Sequence, residues 1–196
     1  MATVVLRDIV TEDDVEAVMG LRRGPGQDRY LGSMISHFED AIADAKACPR
    51  MWSVHDRSTG ELVGFAMFSD DIPAETLAAD DDIVGPYYLW RLLIDERRQG
   101  LGYGAATIDA IADYVAAKPN GRTLLTSCAD GDGSPLPFYI RHGFSHTGGT
   151  KGSIKFLLTG EALRKTSEQL RQDRAGIAAR SHDRAIGKTI SNRPNI

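Results

Sequence analysis

Apolar positions along this chain follow two periods, and each period predicts a different kind of element. Thr3–Ile9 is short and rich in β-branched residues, which predicts a strand. Thr11-Glu12-Asp13-Asp14 then offers a capping hydroxyl and acids suited to the positive end of a helix dipole. Val15, Val18, Met19 and Arg22 continue that helix until Gly24-Pro25-Gly26 stops it. A second helix is predicted over Tyr30–Ala47, with Leu31, Met34, Ile35, Phe38 and Ile42 on one face and Pro49 at its end. Met51–Val54 and Glu61–Phe68 flank the polar turn Asp56–Gly60, the pattern of a β-hairpin.

The stretch from Asp70 to Gly85 is acidic and turn-rich, and reads as a loop with room for one helical turn. Tyr87–Ile94, YYLWRLLI, is the most apolar strand, and its near-continuous run predicts burial on both faces. Gly104–Ala117 has helical spacing at Ala106, Ile108, Ile111, Ala112 and Val115. Thr123–Ser127 is a strand, Pro137–His142 a short helix, and Ile154–Leu158 a last strand. The order β-α-α-β-β-β-α-β-α-β predicts an α/β domain, a mixed sheet with helices on both faces. From Gly160 the character changes. Residues 161–196 carry eight Lys/Arg against four Asp/Glu, so the rest of the chain carries a net charge of −8. We therefore divide the chain into a domain at 1–160 and a basic, partly helical extension at 161–196. Leu163, Leu170 and Ile177 repeat every seven residues there. That seam fits either pairing into a homodimer or packing back on the same domain.

Length and charge narrow the function. One domain is expected from 196 residues, and the net charge of −4 argues against a nucleic-acid partner bound through a basic surface. Two cysteines, Cys48 and Cys128, are too few for a disulfide framework or a tetrahedral metal site, and suit a cytoplasmic protein. The histidines show no ligand spacing, so no metal is expected. The opening residues carry no charged segment leading into an apolar stretch, and no apolar run is long enough for a membrane span.

The chemistry lies in Leu92-Leu93-Ile94-Asp95-Glu96-Arg97-Arg98-Gln99-Gly100-Leu101-Gly102-Tyr103-Gly104-Ala105. A strand runs into a polar loop, then alternating glycines, then a helix. Glycines let the backbone approach an anion, and first-turn amides with the helix dipole favour one there. Arg97 and Arg98 add charge suited to phosphate. Together these predict a pyrophosphate cradle. Gly100–Ala105 also satisfies the dinucleotide pattern G-x-G-x-x-G/A. In that fold, however, the strand meets its first glycine almost directly, whereas Asp95–Gln99 intervene here. The motif also lies mid-chain, with too little sequence after it for a doubly wound sheet.

Gln99-Gly100-Leu101-Gly102-Tyr103-Gly104 resembles the Q/R-x-x-G-x-G/A signature of the GNAT superfamily of acyl-CoA-dependent N-acetyltransferases. Phe138-Tyr139-Ile140-Arg141-His142-Gly143-Phe144 resembles the family's tyrosine helix followed by Gly-Phe. The two lie in the order and at the separation that the family requires, and the element order over residues 3–158 matches. The strand Tyr-Leu-Trp-Arg-Leu-Leu-Ile-Asp looks most like the diamine and polyamine acetyltransferase branch. One departure is plain: where the family has Asn-x-x-Ala, this chain has Asp132-Gly133-Ser134-Pro135, with Ser134 as the replacement contact.

The resemblance implies acetyl-CoA as co-substrate. Its pantetheine arm would pair with the backbone of Leu92, Leu93 and Ile94, where an amide of Leu93 or Ile94 could polarise the thioester carbonyl. Arg97, Arg98, Gln99, Gly100, Leu101, Gly102, Tyr103 and Gly104 would hold the phosphates. Tyr139 would be the general acid for the departing thiolate. Asp70 and Asp71, with Glu39 and Asp40 as outsiders, are carboxylates near the expected acceptor cleft, and none is assigned as base. The implied acceptor is a small-molecule primary amine, cationic by the acidic balance of the domain. The alternatives are a protein N-terminus or lysine, an aminoacyl-tRNA, or a non-catalytic acyl-CoA-binding module.

Overall fold

The structure, a computed structural model, describes residues 2–79, 85–129, 131–146 and 153–159. Its strands are β1 (Val4–Asp8), β2 (Pro49–Asp56), β3 (Leu62–Asp70), β4 (Tyr87–Ile94), β5 (Thr123–Ala129), β6 (Ser145–His146) and β7 (Ser153–Thr159). They form one sheet in the order β1-β2-β3-β4-β5-β7-β6. The helices are α1 (Glu12–Met19), α2 (Met34–Ala43), α3 (Ala74–Ala79), α4 (Tyr103–Ala116) and α5 (Leu136–Arg141). The predicted α/β architecture is present, with the two-residue β6 added. The tail from 161 with its heptad repeat, and the acidic run Asp80-Asp81-Asp82, lie outside the described residues.

Local chemistry sets the boundaries. Thr11 accepts from the Asp14 amide at 3.2 Å while the Asp14 carboxylate accepts from the Thr11 amide at 2.9 Å, a reciprocal cap that starts α1. This helix stops at Met19 rather than reaching Arg22, because Gly20 caps it. The second helix is shorter than its periodicity predicts. Ser33 is extended and its hydroxyl accepts from the Ser36 amide at 3.1 Å, so α2 begins at Met34. Tyr30 instead closes a separate 3-10 turn, Gln27–Arg29. At the other end Cys48 adopts φ 48° and Pro49 already belongs to β2.

The sheet is covered on both faces. Helices α4 and α5 pack against Trp52, Val54, Phe68, Tyr87, Leu89 and Leu124. On the other face Val18 of α1 and Ala41 of α2 meet Phe65, Met67 and Leu93. The strand β4 departs from expectation: Tyr87, Leu89 and Leu93 are buried, but Tyr88, Trp90, Arg91, Leu92 and Ile94 are only half-buried. The reason is topological. β4 pairs with β3 along its whole length, but its parallel pairing to β5 is limited to Tyr88↔Leu125 and Leu89↔Thr126. Beyond Leu89 the two strands part. At the same place Met67 faces Arg91 and Phe68 faces Leu89, so Trp90 is an extra, bulged residue.

Gly64 holds β4 close to β3 beside this opening. A Cβ there would sit 2.4 Å from the Leu93 carbonyl oxygen and 2.9 Å from Ile94 Cδ1. Gly64→Ala is expected to force β4 outward and cost about 1–3 kcal/mol, as overpacking does. Chemical denaturation checks this, and a variant of unchanged stability would mean that β4 yields freely.

Candidate active site

The parted strands leave a gap whose β4 wall is backbone. The Asp95 amide donates to the Val63 carbonyl at 2.9 Å, which fixes the alternation along the antiparallel ladder. Residues 95, 93 and 91 turn their peptide groups to β3, so Leu92 and Ile94 turn theirs to the gap. Leu93 contributes a buried side chain to the core instead. Of the three strand residues singled out from sequence, Leu92 therefore has both peptide groups available to an added strand and Ile94 has its amide, since the Ile94 carbonyl accepts from Gln99.

At the wide end of the gap is the glycine loop. Gly100 has φ +74° and Gly102 φ +89°, conformations that favour glycine, and a Cβ on Gly100 would meet nothing within 4 Å. Gly102 caps α4 without any side-chain hydrogen bond, and the first amide returning to the cap is that of Ala106. The amides of Tyr103, Gly104 and Ala105 thus have no acceptor within the helix. Gly104 lies in the helix with Phe138 ring atoms 3.2–3.3 Å from where its Cβ would be. Bare amides at a helix start, with open space beside Gly100, are chemically suited to an anion such as a phosphate group. Leu101 is exposed beside it. The Tyr103 hydroxyl is used elsewhere, donating to Asp56 at 2.7 Å.

Asp95 organises this loop, a role not assigned from sequence. It is 1% exposed and accepts from the Arg22 amide at 3.2 Å, the Arg97 amide at 3.0 Å and the Arg97 guanidinium at 2.7 Å through both oxygens. The Arg97 bonds hold its carboxyl at about 2, against the usual 3.8. Arg97 is thereby anchored by its own loop, with an exposed guanidinium, and Arg98 is paired with Glu61 at 2.9 Å. Gln99 donates to the Ile94 carbonyl and to Gln27, both at 2.9 Å. The signal for Asp95 was present: an Asp followed by Glu-Arg-Arg is an N-cap pattern.

At the narrow end stands Tyr139, which is 7% exposed. Its hydroxyl shares a hydrogen bond with Thr126, and Thr126 donates to the Leu89 carbonyl at 3.0 Å. Leu89 and Thr126 are the last paired residues before the strands part. Tyr139 is therefore tied to the fork itself. Burial pushes its phenol up to about 12, opposed by the Thr126 bond. On the opposite face the hydroxyls of Tyr88 and Ser127 are hydrogen-bonded across the same strands. Thr126 escaped the sequence reading, although a polar residue in register with Leu124 and Cys128 marks a special position.

Other candidates fall apart from this centre. The Ser134 hydroxyl donates to the Ala129 carbonyl at 2.7 Å and accepts from the Leu136 amide at 3.2 Å, just ahead of α5. The neighbouring Asp132 carbonyl accepts from the Tyr30 hydroxyl at 2.7 Å. Asp70 accepts from Arg50 at 2.9 Å and Tyr114 at 2.6 Å, with Lys118 at 3.4 Å, so it is a structural carboxylate on the α4 face. Asp71 accepts from Tyr87 at 3.0 Å, and Asp40 from Arg91 at 2.9 Å.

Comparison with known proteins bears on this geometry. The model of the acetyltransferase (GNAT) family matches residues 16–144. A spermine/spermidine N(1)-acetyltransferase of Bacillus subtilis is 29% identical over 139 residues, 71% of this chain and 86% of that protein. The spermidine N-acetyltransferase of Vibrio cholerae, solved with CoA and spermine, superposes with a TM-score of 0.58 at 15% identity, covering 82% of this chain and 98% of that one. An aminoglycoside acetyltransferase solved with coenzyme A gives 0.64 at 17% identity, covering 84% and 99%.

Asp95 also sets a pH dependence. Its folded value of about 2 lies below the ordinary 3.8, so its stabilisation is present above pH 4 and is lost as pH falls through 2. The shift corresponds to about 2 kcal/mol. Denaturation of wild type and Asp95→Asn at a series of pH values should show a stability difference that is full at pH 7 and shrinks below pH 4. A difference independent of pH would contradict the ionic account of this loop.

Proposed function

The chain belongs to the GNAT acetyltransferase family, and on that premise we propose that it moves an acetyl group from acetyl-CoA to a primary amine of a small cationic molecule. The transfer is direct, in a ternary complex. The observation that carries the acceptor class is the match to a spermine/spermidine N(1)-acetyltransferase over 71% of this chain. The net charge of −8 on residues 1–160 supports it, since an acidic surface concentrates cationic amines. The two cysteines, neither in a disulfide, suit a cytoplasmic setting.

Bound acetyl-CoA supplies an acetyl group activated as a thioester. The amides of Tyr103, Gly104 and Ala105 hold its pyrophosphate, with Gly100 and Gly102 giving the backbone room. Arg97 and Arg98 add positive charge at the rim. Leu92 and Ile94 pair with the pantetheine amides, and an Ile94 or Leu92 amide polarises the acyl oxygen. The amine attacks as its neutral form and gives up a further proton to solvent as the C–N bond forms and the C–S bond breaks, while Tyr139 delivers its proton to the leaving sulfur and regains one from solvent. The phenol is suited to hold that proton, because burial keeps it protonated through neutral and moderately alkaline pH.

An acceptor panel with acetyl-CoA, read by released thiol, tests the substrate class. Polyamines and diamines should give the highest kcat/KM. Preference for neutral or anionic amines, peptide N-termini, lysine or aminoacyl-tRNA would overturn it, and thiol release with no amine would overturn the enzymatic reading. Tyr139→Phe should lower kcat by about 10²–10⁴-fold with acetyl-CoA affinity nearly unchanged. With the phenol near 12, any alkaline fall of wild-type kcat below pH 10 must come from another group. Near wild-type kcat in the variant would make Tyr139 a core residue.

A further inference from the structure

An arginine interrupts the apolar run of β4, and the structure accounts for every arm of it. Arg91 Nε donates to His37 Nδ1 at 3.2 Å, Nη2 to Asp40 at 2.9 Å, and Nη1 to the Trp90 carbonyl at 2.9 Å. The first two partners lie on α2. The third is the bulged residue where β4 leaves β5. A bulge leaves its extra residue without a ladder partner, so its peptide groups are free to turn unless something else holds them. We propose that Arg91 is the positioning residue of this bulge: anchored by His37 and Asp40, it grips the Trp90 carbonyl and fixes which β4 peptide groups face the gap.

The alternation shows why this matters. The Leu89 carbonyl faces β5, where Thr126 donates to it. Without an extra residue, the two-residue period would next send the peptide groups of 91 and 93 to the gap. With Trp90 inserted, Leu92 and Ile94 face it instead, and Arg91 and Leu93 turn their peptide groups to β3. The bulge thus sets the register of the wall along which the acyl donor lies in the proposed reaction.

The anchor is built to hold. His37 is 1% exposed and stacks on Phe65 with centroids 6.1 Å apart and planes 9° apart. Because Nδ1 accepts from Arg91, the ring is neutral with its proton on Nε2. Burial, reinforced by the guanidinium groups of Arg91 and Arg23 against the single carboxylate of Asp40, brings it to about 4. The ring therefore stays an acceptor at neutral pH. The Trp90 indole is fixed separately, donating to Ser69 at 2.7 Å. A lysine at 91 could satisfy one of the three acceptors but not the planar set.

The consequence for turnover rests on the acetyl-transfer reading; the structural consequence does not. The test therefore measures steady-state kinetics and the backbone amide resonances of Trp90, Leu92 and Ile94 in the same variants of the full chain. Arg91→Gln and Arg91→Lys should each lower kcat by about 10²-fold, the scale of a small misplacement of reacting groups, and raise acetyl-CoA KM, because the displaced peptide groups also pair with the donor. Their amide shifts should concentrate at 90–94 and spare Tyr103–Ala105. Asp40→Asn, which keeps an acceptor, should stay near wild type, and Asp40→Ala should fall between. If Arg91→Gln does not fold, Asp40→Ala carries the test. Unchanged kcat and unmoved amides in a folded Arg91 variant would overturn the proposal. A change in acceptor KM alone would also overturn it, by making Arg91 an acceptor contact. If wild type acetylates no amine, the functional reading falls and the amide resonances alone decide this one.

Discussion

Two residue pairs hold β4 to β5, and the site depends on their being so few. Tyr88↔Leu125 and Leu89↔Thr126 pin the strands at one end and leave them free to diverge at the other. In an uninterrupted parallel sheet the peptide groups of Leu92 and Ile94 would be consumed by β5. Here they line a gap that is narrow at the fork and opens toward the glycine loop. The pairing to β3 runs the full length of β4, so the strand is not weakened by its departure. The same sheet supplies both a rigid scaffold and an unpaired edge in its interior.

The ends of the gap are built from different materials. The wide end is made of main chain: three amides without acceptors in their helix, two glycines with positive φ, and a buried aspartate that shapes the loop. The narrow end is made of side chains: Tyr139 tied through Thr126 to the last paired carbonyl. The segment between α1 and α2 bridges the wide end. Gln27 bonds Gln99 of the glycine loop, and Tyr30 bonds the Asp132 carbonyl beyond β5. One stretch of chain thus spans the opening and ties its two sides together.

What was legible in the sequence follows from how local each feature is. The glycine loop could be read because positive φ and close backbone approach need glycine, whatever the rest of the fold does. Thr11 and the start of α1 were equally local. Hydrophobic spacing overextends the second helix because it continues through Leu31, whereas the Ser33 cap breaks the backbone there. It overstates the burial of β4 for the opposite reason. An apolar run in sequence cannot reveal that the neighbouring strand peels away, since that depends on where β5 is held by α5 and β7. The bonds of Arg91 to α2, of Thr126 to Tyr139 and of Tyr30 to Asp132 join residues 51, 13 and 102 positions apart, and no local pattern announces them.

The central claim is that the acyl donor lies in the gap, along the backbone of Leu92 and Ile94, with its phosphates on the α4 amides. Amide hydrogen exchange with and without coenzyme A tests it directly. The account predicts slowed exchange at Leu92, Ile94 and Tyr103–Ala105 on binding, with little change at Leu93, whose amide already serves β3. Binding that leaves those five amides unprotected, while protecting a surface elsewhere, would contradict it.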